Sequence, residues 1–310
     1  MLSQLTPQCP PRLLRMAQAL PAMATAVVNA GSELALQSAR LAFEAGIIVP
    51  VLVGDEQAIT AAAIAIDWPI DEFEIVASHG EEDAAAKAVQ CVHQGTAQLL
   101  MKGNLHTDIL IRALLDRQHG LRTGERLSHL FHMTVPNSDR ELCITDAVVN
   151  VQPDTKTQLS ILRGATTVMH ALGNPKPNIA LLSATEVPTA AMPSSLLAKE
   201  LLASMSDEDR QAAQVFGPLA FDGAISPEAA KLKGIDHPVA GNADVLLVPN
   251  IETGNAIFKQ LVYFSGATAA GVLMGAKVPV MLTSRADPPA ARLASAALAV
   301  VYAHHLSQNC

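Results

Sequence analysis

Short apolar runs alternate with amphipathic segments of about ten to fifteen residues along most of the chain. This alternation is typical of parallel βα units. The pattern predicts strands at residues 25–28, 47–53, 74–77, 98–101, 130–135, 142–149, 178–183, 215–221, 244–248, 271–274 and 278–282. It predicts helices at 32–45, from 56 onward, and at 81–93, 107–118, 154–172, 194–205, 226–233, 253–264 and 288–304. The predicted fold class is therefore α/β.

Two domains are expected, because a single hydrophobic core stops growing at about 250–300 residues and this chain has 310. Arg117, Arg122 and Arg126 fall within ten residues, with glycines between them, and mark the first crossing between domains. The last helix is too apolar for a lone surface helix and should pack back onto the N-terminal domain. We predict an N-terminal α/β domain from residues 1–127 plus 288–310, and an inserted second α/β domain from 128–287.

Composition excludes several classes of partner. The net charge is −8 and aromatic residues make up 3% of the chain, which disfavours nucleic acids and anionic membranes as partners. No apolar run reaches the ~18 residues of a membrane helix. The four cysteines have no metal-ligand spacing, and free thiols are typical of a reducing compartment. We expect a cytoplasmic protein with no nucleic-acid or membrane partner.

The strongest candidate chemistry follows the apolar strand at 278–282. The polar residues Thr283, Ser284, Arg285 and Asp287 come directly after this strand, and a proline pair opens the last helix. Ligands of open α/β sheets bind beyond the carboxyl ends of the strands. Ser284 and Arg285 are therefore candidate anion-holding groups. The alternative is a turn hydroxyl beside an Arg285–Asp287 surface ion pair contributing under ~1 kcal/mol.

Two other strands also run into polar turns. After the strand at 98–101, Gly103 would let the backbone approach a ligand, and the first N–H groups of the next helix would form an anion site. Lys102 and Arg112 could complete that site. The alternative is an ordinary turn with Thr107 as a helix cap and Arg112 as a solvated charge. The segment 249–256, which contains Gly254 and Asn255, likewise follows the strand at 244–248 and precedes a helix. The candidate substrate-binding residues at the three strand ends are Lys102, Gly103, Asn104, His106, Thr107, Thr283, Gly254 and Asn255.

Other motifs are missing or weak. His129 and His132 lie three residues apart, but no third ligand has metal spacing, so partly buried structural histidines are expected and no metal site is predicted. The chain has no Gly-x-Ser-x-Gly elbow, no Gly-x-Gly-x-x-Gly loop and no Gly-x4-Gly-Lys-Ser/Thr loop. Their absence disfavours hydrolases, Rossmann dehydrogenases and P-loop ATPases.

Seven sequence blocks occur in order at 101–108 (MKGNLHTD), 120–129 (GLRTGERLSH), 144–147 (ITDA), 217–222 (GPLAFD), 233–236 (KGID), 239–244 (VAGNAD) and 282–287 (LTSRAD). Together these blocks resemble the phosphate acetyltransferase and phosphate butyryltransferase family. They are most similar to its butyryl branch and to the related domain fused to enoyl-CoA hydratases.

The resemblance implies two α/β/α domains with an interdomain cleft, similar to isocitrate and isopropylmalate dehydrogenases, in a homodimer. The implied activity moves a short acyl group, from acetyl to butyryl, between coenzyme A and inorganic phosphate by direct thiolate attack on the acyl phosphate. Coenzyme A, acyl phosphate and phosphate would be the small-molecule partners, with no tightly bound cofactor. The length of the acyl chain does not follow from the sequence.

Catalytic roles are also implied by the resemblance. Ser284, Arg285 and Arg112 match residues that line the cleft in the acetyl branch. That branch has an Asp seven residues after the Ser, whereas this chain has Ala291, which leaves Asp287 as the nearest carboxylate. Two other functions stay open: a non-catalytic acyl-CoA-binding or regulatory module, and a metal- and NAD-dependent dehydrogenase of similar fold.

Overall fold

The computed structural model describes residues 2–138, 140–283 and 286–308, which form eleven strands and twelve helices in those ranges. The strands are β1 Met23–Val28, β2 Ile48–Gly54, β3 Glu74–Ala77, β4 Leu99–Lys102, β5 Ser128–Thr134, β6 Glu141–Thr145, β7 Asn178–Leu182, β8 Gln214–Leu219, β9 Val245–Leu247, β10 Thr268–Met274 and β11 Val280–Met281. The helices are α1 Pro11–Gln18, α2 Glu33–Glu44, α3 Glu56–Ala65, α4 Gly80–His93, α5 Thr107–Leu115, α6 Thr155–Ala171, α7 Pro193–Ser204, α8 Asp207–Ala212, α9 Phe221–Ile225, α10 Pro227–Leu232, α11 Ile251–Ser265 and α12 Pro289–Gln308.

The chain divides into two compact units. The first unit comprises Pro7–Glu125 and Ala270–Cys310, and the second comprises Met1–Thr6 and Arg126–Ala269. The sequence pattern instead assigns residues 270–287 to the second domain. The difference arises because most of β10 and all of β11 extend the sheet of the first unit, where Val280 of β11 pairs with Leu100 of β4.

The sheet of the first unit has the strand order β3-β2-β1-β4-β11-β10. Strand β1 is parallel to β2 and to β4, and β11 is parallel to β4, whereas β10 is antiparallel to β11. Val28 lies beside Lys102, and Met281 lies beside Met101. The carboxyl ends of β1, β4 and β11 therefore meet at one edge of the sheet, where the polar turns after β4 and β11 begin.

The second unit has the strand order β5-β6-β9-β7-β8. Its β5–β6 pair is antiparallel, and the remaining pairs are parallel. The core contains fully buried Met133, Ile144, Ala180 and Leu246, with Phe258 packed against it. Aliphatic residues from adjacent strands thus fill this core, as expected for strands with helices against them.

Side-chain caps start several of the predicted helices. Ser32 accepts a hydrogen bond from the Ala35 N–H at the start of α2, and Asp154 does the same for Thr157 at α6. Such caps satisfy N–H groups that have no partner inside the helix. Helix α12 packs against α1 and α2 of the first unit. In the described part of the chain, no helix is both long and apolar enough to span a bilayer.

The prediction of an α/β fold is confirmed, and most boundaries agree within a few residues. Three short helices, α1, α8 and α9, are absent from the predicted elements. Strand β6 ends at Thr145, not at residue 149, because the Asp146 carboxylate accepts hydrogen bonds from three following backbone N–H groups. Helix α5 ends at Leu115, and Asp116 then accepts from the N–H groups of Gln118 and His119.

Candidate active site

A small cavity of about 150 Å³ opens at the carboxyl ends of β4 and β11. The residues that line it come from the first turns of α2, from the two strand-end turns and from α12: Ser32, Leu34, Ala35, Ser38, Lys102, Gly103, Asn104, Thr283 and Arg292. Four of the predicted substrate-binding residues, Lys102, Gly103, Asn104 and Thr283, therefore share one cavity. The parallel pairing of β11 with β4 brings these distant parts of the sequence together.

Gly103 is required by the packing of the sheet. Its N–H donates to the Val28 carbonyl at 2.9 Å, and the Asn104 N–H donates to the Asn29 carbonyl at 3.0 Å. A Cβ atom added at Gly103 would lie 2.5 Å from the Val28 oxygen and 2.7 Å from the Asn29 oxygen. The turn after β4 is thus held against the end of β1, and the missing side chain allows that contact.

Arg292 is the cavity residue that the sequence reasoning missed. It lies in the second turn of α12 and is only 7% exposed, and its Nε is buried with no hydrogen-bond partner among the described residues. Desolvation lowers the pKa of this guanidinium, and the neighbouring negative charge of Asp287 opposes that shift. A sequence signal did exist: Arg292 is a lone charge in an alanine-rich segment, beside buried Ala291 and near buried Ala294.

Arg112 and Lys102 line different cavities. Arg112 projects from the exposed side of α5, where Nη2 is 3.3 Å from the Asp108 carboxylate and the side chain is 67% exposed. It lines a larger groove of about 870 Å³ between α4 and α5, together with residues such as Lys87 and His119. Lys102 and Arg112 therefore do not line a common cavity in the structure.

His106 and Thr107 mark the start of α5. The N-cap residue is His106, not Thr107, and no side chain caps this helix. Glu81 of α4 accepts the His106 backbone N–H at 2.7 Å and lies 2.9 Å from the ring Nδ1. These hydrogen bonds from His106, together with the charge of Lys102, lower the pKa of Glu81. The contact fixes the turn between β4 and α5 against the start of α4.

Gly254 and Asn255 belong to the second unit, within the first turns of α11. A Cβ at Gly254 would lie 2.9 Å from both the Asp146 carbonyl oxygen and the Ala147 Cβ. The Asn255 amide donates to the Ala147 carbonyl at 3.4 Å. Both residues contact the turn that follows β6, so the structure gives each a packing role within its own unit.

Ser284 and Arg285 lie outside the described residues, so their predicted roles stay predictions. Asp287 is described, and its charge acts on Arg292. The predicted pairing of Arg285 with Asp287 involves an undescribed residue and likewise stays a prediction.

The two histidines of β5 are more deeply buried than the partial burial predicted. His129 is fully buried, neither ring nitrogen has a hydrogen-bond partner among the residues that the structure describes, and desolvation lowers its pKa to about 3. His132 Nε2 lies 3.3 Å from the Glu141 carboxylate. Within residues 2–138, 140–283 and 286–308, no three His, Cys, Asp or Glu side chains are arranged to hold a metal ion.

Comparison with known proteins places these observations in a family. Residues 81–300 match the family model described as phosphate acetyl/butaryl transferase. The chain is 42% identical to a phosphate acetyltransferase of Rhizobium meliloti, over 94% of this chain and 92% of that protein. It is 40% identical to a phosphate butyryltransferase of Clostridium acetobutylicum, over 90% and 92% of the respective chains.

A solved structure shows the same similarity. The crystal structure of a branched-chain phosphotransacylase from Enterococcus faecalis superposes with a TM-score of 0.79 at 33% identity, and the match covers 91% of this chain and all of that one. The family resemblance seen in the seven sequence blocks is thereby confirmed. The chain belongs to the phosphate acetyl/butyryl transferase family.

Proposed function

We propose that the protein is a phosphate acyltransferase that moves a short acyl group, from acetyl to butyryl, between coenzyme A and inorganic phosphate. The observation that carries this proposal is the family match over residues 81–300, which contains every candidate site residue. The relatives named above include both acetyl- and butyryltransferases at similar identity. The cavity at the ends of β4 and β11 adds two cations, Lys102 and Arg292, on the side of the sheet where ligands of α/β proteins bind.

The proposed reaction is a direct displacement. The coenzyme A thiolate attacks the carbonyl carbon of the acyl phosphate, the C–S bond forms, and the bond from that carbon to the phosphate oxygen breaks. Inorganic phosphate leaves with the bonding electrons, and the thiol proton passes to a base or to water. As the family resemblance implies, Arg112 and Arg285 would hold the phosphate, Ser284 would donate to the developing oxyanion or orient the thiol, and Asp287 is the candidate base.

The free energies that each role can contribute rank these roles by importance. Bringing the two substrates together can supply roughly 7–11 kcal/mol of barrier reduction, and one oxyanion donor roughly 2.7–4 kcal/mol. Ionising a thiol of pKa about 8.5 at pH 7 requires only about 2 kcal/mol. The chain can therefore function with Ala291 in place of an acidic base, whereas it depends on the groups that hold phosphate.

The finer description of the molecule belongs to the same proposal. It comprises two α/β/α domains with an interdomain cleft, as in isocitrate and isopropylmalate dehydrogenases, and a homodimer in the cytoplasm. The two compact units and the α/β strand patterns support the domain description. The free thiols of Cys9, Cys91 and Cys143 support a reducing compartment.

The activity is tested by thioester formation. Acetyl, propionyl and butyryl phosphate are each mixed with coenzyme A and the protein, with and without a divalent metal and NAD, and the ultraviolet absorbance of the thioester is followed. We expect thioester formation that needs neither addition, with a rate that identifies the preferred acyl length. No thioester from any of the three would refute the transferase and favour a non-catalytic acyl-CoA-binding module, and NAD reduction would favour a dehydrogenase.

The roles of individual residues are tested by substitution. Arg112→Gln should lower turnover far more than Asp287→Asn, with the exposed Arg117→Gln as a matched control that stays active. Comparable losses in the first two variants would contradict the ranking. Ser284→Ala should lower the maximal rate and leave phosphate affinity almost unchanged, and an unaltered maximal rate would remove Ser284 from the chemistry.

A further inference from the structure

Arg292 is a buried cation with unmet hydrogen-bonding capacity. It is 7% exposed, and its Nε has no partner among the described residues. Buried charges in proteins are normally paired and fully hydrogen-bonded, because an unsatisfied charged group destabilises the fold. Asp287 supplies a neighbouring negative charge but leaves the Nε unpartnered. The fold thus keeps an arginine where the surrounding alanine-rich helix would accept an apolar side chain.

The surroundings of Arg292 favour an anion. Lys102 lines the same cavity, and the cavity wall includes Ser32, Leu34 and Ala35 at the start of α2. The N-terminal end of a helix carries a partial positive charge and attracts anions. Among the described residues, two carboxylates act on these cations, Asp287 on Arg292 and Glu81 on Lys102, and neither lines the cavity. Glu33 in the first turn of α2 is exposed and does not line the cavity. The described side chains that line the cavity therefore carry two positive charges, Lys102 and Arg292, and no negative charge.

The size of the cavity narrows the choice of ligand. Its volume of about 150 Å³ equals roughly five water molecules in the liquid. Sites for drug-sized ligands measure roughly 300–1,000 Å³, so coenzyme A as a whole does not fit. A phosphoryl group has suitable size and charge, and the planar fork of an arginine can give it two parallel hydrogen bonds.

We propose that Arg292 is a substrate-binding residue that holds the phosphoryl group of the acyl phosphate, or inorganic phosphate in the reverse reaction, within this cavity. The inference rests on the proposed transferase function but assigns contact with the phosphate to Arg292 and not to Arg112, which lines the separate groove between α4 and α5. Lys102 contributes a point charge from the opposite turn, and the start of α2 contributes its dipole. Asp287 is the counter-charge of Arg292 while the cavity holds no anion.

Replacing Arg292 separates this role from a structural one. In Arg292→Met an apolar side chain of similar length replaces the desolvated charge, so we expect a melting temperature without phosphate equal to or above that of the wild type. Phosphate should raise the melting temperature of the wild type, as any ligand of the folded state does, but not that of the variant. The KM for acyl phosphate should rise at least tenfold, with the KM for coenzyme A unchanged. Exposed Arg15→Met on α1 is the matched control and should behave as wild type.

Arg292→Lys keeps the inference testable if the methionine variant does not fold. Lysine preserves the positive charge and its attraction to Asp287 but lacks the planar guanidinium that can form two parallel hydrogen bonds. The affinity for phosphate should therefore fall at least tenfold. Wild-type phosphate affinity in either variant would overturn the inference, as would a change confined to the KM for coenzyme A. An active wild type with unaffected variants refutes the inference alone. A wild type that makes no thioester but loses phosphate-induced stabilisation with Arg292 refutes the transferase and retains the phosphate site.

Discussion

Substitution of Gly103 is the most direct test of the close contact between the turn after β4 and the end of β1, beside the cavity. In Gly103→Ala, the new Cβ would lie 2.5 Å from the Val28 carbonyl oxygen and 2.7 Å from that of Asn29. Both obstacles are backbone atoms at the end of β1, so no side chain can rotate away to make room. The turn after β4 must move, and the hydrogen bonds from the N–H groups of Gly103 and Asn104 to these two carbonyls must lengthen.

The size of the effect follows from the geometry. Overpacking a well-packed site destabilises by typically 1–3 kcal/mol, and the backbone obstacles place Gly103→Ala at about 2–3 kcal/mol. For a unit of this size each kcal/mol lowers the melting temperature by roughly 2–4 °C, so a decrease of roughly 4–12 °C is expected. The displaced turn also carries Lys102. Since a shift of about 1 Å near a reaction site can lower rates by about 100-fold, turnover should fall by about tenfold or more.

Gly223→Ala is the matched control. Its added Cβ would meet no atom closer than 3.5 Å, and Gly223 lies inside helix α9. Alanine is favoured over glycine in helices by about 1 kcal/mol, so this variant should be as stable as the wild type or more so. Thermal unfolding and thioester formation measure both variants. If Gly103→Ala matches the wild type in melting temperature and turnover, the tight contact between the β4 turn and the end of β1 does not exist in solution.

Two further predictions concern how the free energy of unfolding depends on pH. Burial lowers the pKa of His129 from 6.5 to about 3, so between these values the unfolded chain binds one more proton and stability falls with falling pH by up to about 1.4 kcal/mol per pH unit. His129→Phe should remove that slope in urea unfolding from pH 4 to 7, and an unchanged slope would contradict the assignment. The hydrogen bonds from Arg163 to the 7%-exposed Asp209 lower the pKa of that carboxyl from 3.8 to about 2. Their stabilisation is complete above pH 3.8 and is lost as the pH falls to 2, so Asp209→Asn should be less stable than the wild type by about 2 kcal/mol at pH 7 and equal to it near pH 2. If the difference in stability between Asp209→Asn and the wild type stayed constant from pH 7 to pH 2, this prediction would be wrong.

The sequence could predict the elements that carry their own local signals. Helices α2 and α6 begin at capping residues, Ser32 and Asp154, that are visible in the pattern. Strands such as β4 are continuous apolar runs. The short helices α8 and α9 have five or six residues each, too few for a helical period to stand out from the neighbouring turns. The grouping of residues 270–287 depends on the pairing of β11 with β4, which is a long-range contact and leaves no local trace.

Prediction of the candidate site was also limited to residues that carry a local sequence signal. The rule that ligands bind beyond the carboxyl ends of strands located Lys102, Gly103, Asn104 and Thr283, and these four residues do share a cavity. The rule could not place Arg112, because Arg112 lies five positions after Thr107 along the helix. At 3.6 residues per turn this turns Arg112 well away from the start of α5, onto the groove between α4 and α5.

The lack of an acidic residue at position 291 and the presence of buried Arg292 at the next position both affect the charge of the cavity. Ala291 stands where the acetyl branch of the family is expected to carry an Asp, and the next residue on α12 is Arg292, so the two positions share one helical turn beside the cavity. Ala291 is itself buried, at 5% exposure, and a carboxylate there would add a desolvated negative charge near the half-buried Asp287. It would offset the positive charge of Arg292 and Lys102 and weaken the attraction for phosphate. Ionising the thiol requires only about 2 kcal/mol at pH 7, whereas positioning the substrates supplies roughly 7–11 kcal/mol. Under the proposed function, alanine at 291 would therefore remove the smaller contribution, and arginine at 292 would preserve the larger one.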